Sequence, residues 1–272
     1  MMMEYFSTME RLKIQVQTGT KKLNVTVISP IKDNLAPKPA LVLTVGASRE
    51  YTLYEHPGNR AFIQMMVEAG HRVLSFDLPQ HGERIDHHGA EIEGIREAFL
   101  AGKSPFATFI EEAMEVFNHC VRLGLGEDRN LLISGISRGA YFALRLFAMD
   151  PRIQAAALFS PVTDWRSLEE FAAVRQNASV EDLRISHFAA GMVGRPLYMA
   201  IGSHDDRVGT HNACQFYLDL ITASEKQKID TSIIDFFITA DPDHSLGLAS
   251  YLSGAAFLLK HYTPRSQFIL NA

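Results

Sequence analysis

Two patterns of hydrophobic positions divide the chain. Near the start, residues 12–17 (LKIQVQ) and 23–28 (LNVTVI) alternate apolar with polar positions on either side of TGTKK, the signature of an antiparallel hairpin. Beyond it the pattern becomes solid. Six short apolar runs follow, at 40–45 (ALVLTV), 72–76 (RVLSF), 130–134 (NLLIS), 155–160 (AAALFS), 196–201 (PLYMAI) and 231–238 (TSIIDFFI). Strands covered on both faces read this way. Between them lie segments with helical spacing: 59–70, 106–124, 137–150, 209–222 and 246–262. The alternation predicts an α/β fold: a mostly parallel eight-stranded sheet with helices on both faces, entered through an antiparallel edge.

One interval breaks the rhythm. Between Pro161 and Arg195 the connection is long and carries two helix-like pieces, DWRSLEEFAAVRQ and SVEDLRISHFAAG. An insertion at the carboxyl edge of such a sheet is expected to form a small helical cap over the binding cleft, and a packing helix pair is the plainer alternative.

The strand–helix junction at 130–147, NLLISGISRGAYFALRLF, holds the first candidate chemistry. A G-x-S-x-G match alone is weak, but here it follows a strand and opens a helix, the turn that lifts a serine oxygen into solvent. Ser137 is thus a candidate nucleophile, and a serine hydroxyl needs a base, which in turn needs an orienting acid. Both are expected later, each after a strand. After PLYMAI the chain reads GSHDDRV, which supplies Asp205 and Asp206. After TSIIDFFI it reads TADPDHSL, which supplies His244.

The chain resembles the α/β hydrolases, of the kind related to dienelactone hydrolases and to the catalytic domains of prolyl-oligopeptidase-like enzymes. The likeness covers almost the whole chain and rests on SFDLPQHGER, GISRGAYFALRLFAMDPRIQAAALFSPVTD, GSHDDRV and DHSL. It implies an α/β-hydrolase fold and a serine hydrolase acting on a small-molecule ester or related acyl substrate without a cofactor. The family's acid loop often reads G-x-x-D-x-x-V, which matches Gly202, Asp205 and Val208, so the resemblance makes Asp205 the acid. Asp206 is the runner-up. Asp164 sits where some lipase-like relatives place theirs. His81, in LPQHGER, matches a loop whose histidine supports geometry.

Acyl transfer also needs an oxyanion hole. One N–H is expected from Arg138, the residue after the nucleophile. The other is expected from Ala47, after the strand at 40–45. Relatives commonly carry His-Gly there, and this chain has Val45-Gly46-Ala47-Ser48. The departure implies either another support for the loop or a weakened hole, and the three triad positions in register favour the former.

Composition narrows the remaining classes. The 272 residues are 47% hydrophobic and 21% charged, without a linker-like interruption, so one domain spanning 1–272 with a cap at 161–195 is expected. A net charge of −5 and no Lys/Arg cluster argue against nucleic acid. MMMEYFSTMERLK reads as neither signal peptide nor membrane span, which implies the cytoplasm. On that reading the sequons at Asn24 and Asn177 are chance. Cys120 and Cys214 lie in helix-like contexts and are expected to be reduced core thiols. Asp86, His87 and His88 are too few for a defined metal site, and no metal is expected. AGKS at 101–104 lacks the glycine and strand of a phosphate loop. Tyr51, Tyr54 and Trp165 are candidate pocket walls or core aromatics. The oligomeric state is not encoded in these patterns. A non-catalytic binding protein on the same scaffold is the alternative from another class. A small peptidase or thioesterase is the nearest alternative chemistry, although the related oligopeptidases carry a large extra domain.

Overall fold

The computed structural model describes residues 9–19 and 21–265; the amino-terminal reading at MMMEYFST lies outside them. A sheet of eight strands runs β1 (Met9–Thr18), β2 (Lys21–Pro30), β3 (Leu41–Val45), β4 (Arg72–Ser75), β5 (Leu131–Ile136), β6 (Ile153–Phe159), β7 (Leu197–Gly202) and β8 (Ile234–Thr239). Their order across the sheet is β1-β2-β4-β3-β5-β6-β7-β8. The β1–β2 hairpin pairs antiparallel and joins β4 antiparallel, and every later pairing is parallel.

The solid apolar runs of β3 to β7 are explained by what covers them, whereas the run in β8, expected to be covered on both faces, lies at the sheet edge with Phe237 and Ile238 exposed. On β5, Leu131 and Ile133 enter one core while Leu132 enters the other, and β7 divides Leu197, Met199 and Ile201 from Tyr198 and Ala200 in the same way. Successive strand side chains point to opposite faces, so a strand buried on both sides has no polar positions to alternate. Helices α1 (Pro57–Glu68) and α7 (Leu248–His261) pack together over one face. The other carries α2 (Glu91–Leu100), α3 (Pro105–Arg122), α4 (Arg138–Met149) and α6 (Thr210–Lys226). Cys120 is fully buried in α3, whereas Cys214 is only half-buried on α6; both are free thiols.

The segment between β6 and β7 folds as short 3-10 turns, Trp165–Ser167, Glu169–Val174 and Ile185–Met192, with one α-helical turn, α5 (Ala178–Glu181). Its anchor is Trp165, which has no exposed surface and sits among Phe106, Tyr141, Phe142 and Phe171 with centroids 5.0–6.2 Å away. The segment packs on α4 and α6.

Two neighbouring strands set the position of the cleft. From β3 the chain crosses to β4 on one side, whereas β5 lies on the other, so the loops leaving β3 and β5 diverge. A crevice at the carboxyl ends of the strands follows from that reversal. Among the described residues no helix is long and apolar enough to cross a membrane.

Candidate active site

Ser137 occupies the turn between β5 and α4 with φ 54° and ψ −126°, a conformation L-residues adopt at a cost of about 1–3 kcal/mol. Its N–H donates to the Phe159 carbonyl at 2.9 Å, and its carbonyl accepts the N–H of Val162 at 3.1 Å, so the neighbouring β6 holds the strained residue in place. The motif's second glycine has a steric reason. A Cβ on Gly139 would stand 2.3 Å from the Val45 carbonyl oxygen, so only glycine lets the first turn of α4 press against the end of β3.

Asp205 follows β7 and is buried. Its Oδ1 accepts the N–H groups of Arg207 and Val208, each at 3.1 Å, and its own N–H donates to Thr210 Oγ1 at 3.0 Å. The carboxylate is therefore aimed by its own loop. Its Oδ2 faces His244 Nδ1 at 2.8 Å, and His244 Nε2 faces Ser137 Oγ at 2.9 Å. Three side chains from three separate loops thus stand in one hydrogen-bonded line. Gly202 makes this meeting sterically feasible, because a Cβ there would lie 2.2 Å from the Asp243 carbonyl, next to His244.

Neither alternative carboxylate joins the line. Asp206 is exposed and makes no hydrogen bond among the described residues. Asp164 caps the turn at Trp165, accepting from Arg166 N at 3.0 Å, and its carboxylate pairs with the Arg166 side chain at 2.6 Å.

Ala47 and Ser137 both border one cavity of about 880 Å³. Among the described residues the N–H of Ala47 has no protein acceptor, and the N–H of Arg138, at the first position of α4, has no intrahelical one. Both therefore remain available to a ligand, and the amino end of α4 adds its partial positive charge. The turn at Val45-Gly46-Ala47-Ser48 is held by neighbouring groups. Thr52 Oγ1 donates to the Ser48 carbonyl at 2.7 Å, and the Leu78 N–H donates to the Ala47 carbonyl at 3.1 Å. Buried Asp77 clamps the base, accepting Arg49 N–H at 2.6 Å and Glu83 N–H at 2.9 Å.

Apart from the exposed Glu55, charge lines the rest of the cavity in pairs. Arg138 donates to Glu91 at 2.5 Å, and His81 stands 3.5 Å from the same carboxylate, so imidazole and guanidinium together hold Glu91 below the usual carboxylate range. His81 is itself fixed by Pro79, whose carbonyl lies 2.8 Å from Nδ1. Arg207 pairs with Glu170, the contact through which the 161–195 segment reaches the rim. That segment contributes no other side chain to the rim contacts among the described residues. Tyr51 lines the cavity, whereas Trp165 is core and Tyr54 lies beneath Arg11 at 4.4 Å. Sequence reasoning missed Glu91 and Thr52, which stand in no recognisable motif, and Asp77, which stands inside SFDLPQHGER without a role assigned to it there.

Donor atoms of Asp86, His87 and His88 lie within 4.8 Å of one another on an exposed turn. Asp86 Oδ1 is already occupied there by Gln80 at 2.9 Å and by the His88 N–H at 2.9 Å. A second cavity of about 610 Å³ adjoins that turn.

No protein-family model matches the chain, and no curated protein does. Solved structures do. A cold-adapted esterase from an Arctic intertidal metagenomic library, in a PEG-bound complex, matches with a TM-score of 0.70 at 16% identity, over 94% of this chain and 96% of that one. TT1662 from Thermus thermophilus matches at 0.68 and 22% identity, over 94% and 99%. The Pyrococcus horikoshii acylaminoacyl peptidase matches at 0.73 and 14% identity over 97% of this chain, which spans only 43% of that protein. At such identities the likeness is one of architecture, and the fold of this chain is that of the α/β hydrolases.

Proposed function

We propose that the protein is a serine hydrolase that cleaves a carboxylic ester or related acyl bond through an acyl-enzyme. The observation that carries this reading is the line from Ser137 Oγ through His244 to Asp205, with heavy-atom spacings of 2.9 and 2.8 Å. These lie within the range in which a base can take a hydroxyl proton.

In the proposed reaction His244 Nε2 takes the Ser137 proton as Oγ attacks the carbonyl carbon. Negative charge then develops on the carbonyl oxygen, where the N–H groups of Ala47 and Arg138 receive it. Asp205 holds the ring with its proton on Nδ1 and stabilises the imidazolium that forms. His244 returns the proton to the leaving alkoxide, and the alcohol departs. A water then repeats the sequence on the acyl-enzyme: His244 takes its proton, the hydroxide attacks, and the proton passes to Ser137 Oγ as the acid is released. Protons and one acyl group are all that move.

An esterase and a peptidase among the structural neighbours support hydrolysis as the reaction class. The esterase matches over nearly its whole length, and this favours the ester reading over the peptidase one. A fluorophosphonate probe tests the proposal. It should label the wild type and not Ser137→Ala; failure to label, together with no turnover of short and medium p-nitrophenyl esters, would leave the non-catalytic reading in its place.

A further inference from the structure

One wall of the cavity is built by the chain entering α1, with Tyr51, His56, Pro57 and Gly58 among its residues. His56 is the N-cap of that helix: its Nδ1 accepts the N–H of Asn59 at 3.1 Å. A ring nitrogen that accepts a backbone N–H carries no proton of its own. A neutral His56 must therefore carry its one proton on Nε2. Burial is the main cause that lowers the proton affinity of the ring, and the nearby His244 lowers it further, so the uncharged form is the one that faces the site.

The ring cannot turn freely. Tyr51 packs edge-on at 5.6 Å and Tyr251 at 5.4 Å, and Tyr251 is in turn fixed against Phe159 at 4.3 Å. Nε2 has no hydrogen-bond partner among the described residues, yet it is not among the buried orphan atoms, so it is open to solvent on a residue that lines the cavity. The two arginines of the lining are occupied by Glu91 and Glu170. A hydroxyl such as that of Tyr51 can give or accept, but this imidazole edge can only give.

We propose that His56 Nε2–H is a substrate-recognition donor. The enzyme would then prefer esters whose acyl part carries an accepting oxygen, such as an ether or a second carbonyl, over esters with a purely alkyl acyl chain. The inference rests on the reading of Ser137 as nucleophile. It assigns His56 no part in bond breaking. A carboxylate would gain less from this neutral donor than from a free arginine, and an amine would meet a donor facing a donor.

The test uses matched p-nitrophenyl esters in which one methylene is replaced by oxygen: butyrate against methoxyacetate, and pentanoate against 3-methoxypropanoate. His56→Asn and His56→Ser each keep an acceptor suited to the N-cap while removing the Nε2–H. The ratio of kcat/KM, oxygenated over alkyl, should fall about 3- to 10-fold in both variants for at least one pair, the worth of one neutral hydrogen bond. Fluorophosphonate labelling of Ser137 should persist. A ratio that stays the same for both pairs overturns the proposal, whether or not the absolute rates or Tm fall, because a purely structural role lowers both members of a pair together. Loss of labelling in the wild type itself would instead indict the nucleophile assignment.

Discussion

Replacing Asp205 by asparagine is the sharpest test of the acid, because the geometry dictates which way the amide must sit. In the native loop one carboxylate oxygen accepts two backbone N–H groups, from Arg207 and Val208, and the other accepts from His244 Nδ1. An asparagine has one accepting oxygen and one donating nitrogen. With its oxygen toward the two backbone donors it keeps two bonds; flipped, it keeps one and sets its NH2 against two N–H groups in a buried site. The first orientation wins. Its NH2 then donates to Nδ1, which forces the His244 proton onto Nε2, where it points at the Ser137 oxygen whose proton should be taken. A wrong tautomer of this kind costs about 10⁴ in kcat, or about 5.4 kcal/mol in barrier height. The fold should lose only about 1 kcal/mol, since shape and two hydrogen bonds survive. Hydrolysis of p-nitrophenyl butyrate, normalised to folded protein by circular dichroism, measures the effect. Asp206→Asn, on an exposed carboxylate, should leave kcat within twofold. If Asp205→Asn retained a tenth of wild-type activity, or if Asp206→Asn lost a hundredfold, the assignment of the acid would be refuted.

Other residues make separate predictions. Ser137→Gly should be inactive yet more stable by about 1 kcal/mol or more in urea denaturation, because glycine adopts φ 54° without strain; an unchanged or lower midpoint counts against strain at the turn. Asp77→Ala removes the acceptor for two backbone N–H groups beneath the Ala47 loop and should lower kcat about 10- to 100-fold while KM moves little. His71 accepts the Ala40 N–H at 3.0 Å and is pushed down by burial to about 4. The unfolded chain binds that proton near 6.5 and the folded chain does not, so stability is full above 6.5 and falls as pH drops toward 4. Between pH 7.5 and 5.5 the loss attributable to His71 should be about 1 kcal/mol, and His71→Asn should flatten the slope; an equal slope in both proteins rules this group out.

Strands β3 to β7 were legible because double burial leaves an unmistakable apolar run, and Ser137 and Asp205 each follow one of them; β8, which precedes His244, carries an equally apolar run although it is the edge strand and leaves Phe237 and Ile238 exposed. The helix α2 was not. Gly94 in its interior weakens the helical pattern, and the structure supplies the reason for it: a Cβ there would lie 2.4 Å from the Gly89 carbonyl, so the helix must pass close to the preceding turn. The segment after β6 has helical spacing but folds largely as 3-10 turns, because burial of Trp165 and Phe171 and the cap from Asp164 fix its path more strongly than local propensity. Adjacent Asp205 and Asp206 are equivalent in composition; the resemblance to a G-x-x-D-x-x-V loop favours Asp205, and the physical reason, the loop's own N–H groups, appears only in the structure. His56 and Thr52 act through backbone atoms a turn away, which leave no mark on a linear pattern, and Asp77 stands in SFDLPQHGER, where the stretch itself does not show which N–H groups it accepts.

The line from Ser137 to His244 spans 107 residues, and Asp205 lies between them in sequence. A ribosome therefore releases the serine well before either of its partners. Until β7 and β8 have emerged and docked at the sheet edge, the hydroxyl is an ordinary alcohol with no base to take its proton. On the proposed reading, nascent chains would be chemically silent until β8 and the residues after it have emerged, and reactivity toward an acyl group would switch on only as the last strands close the sheet.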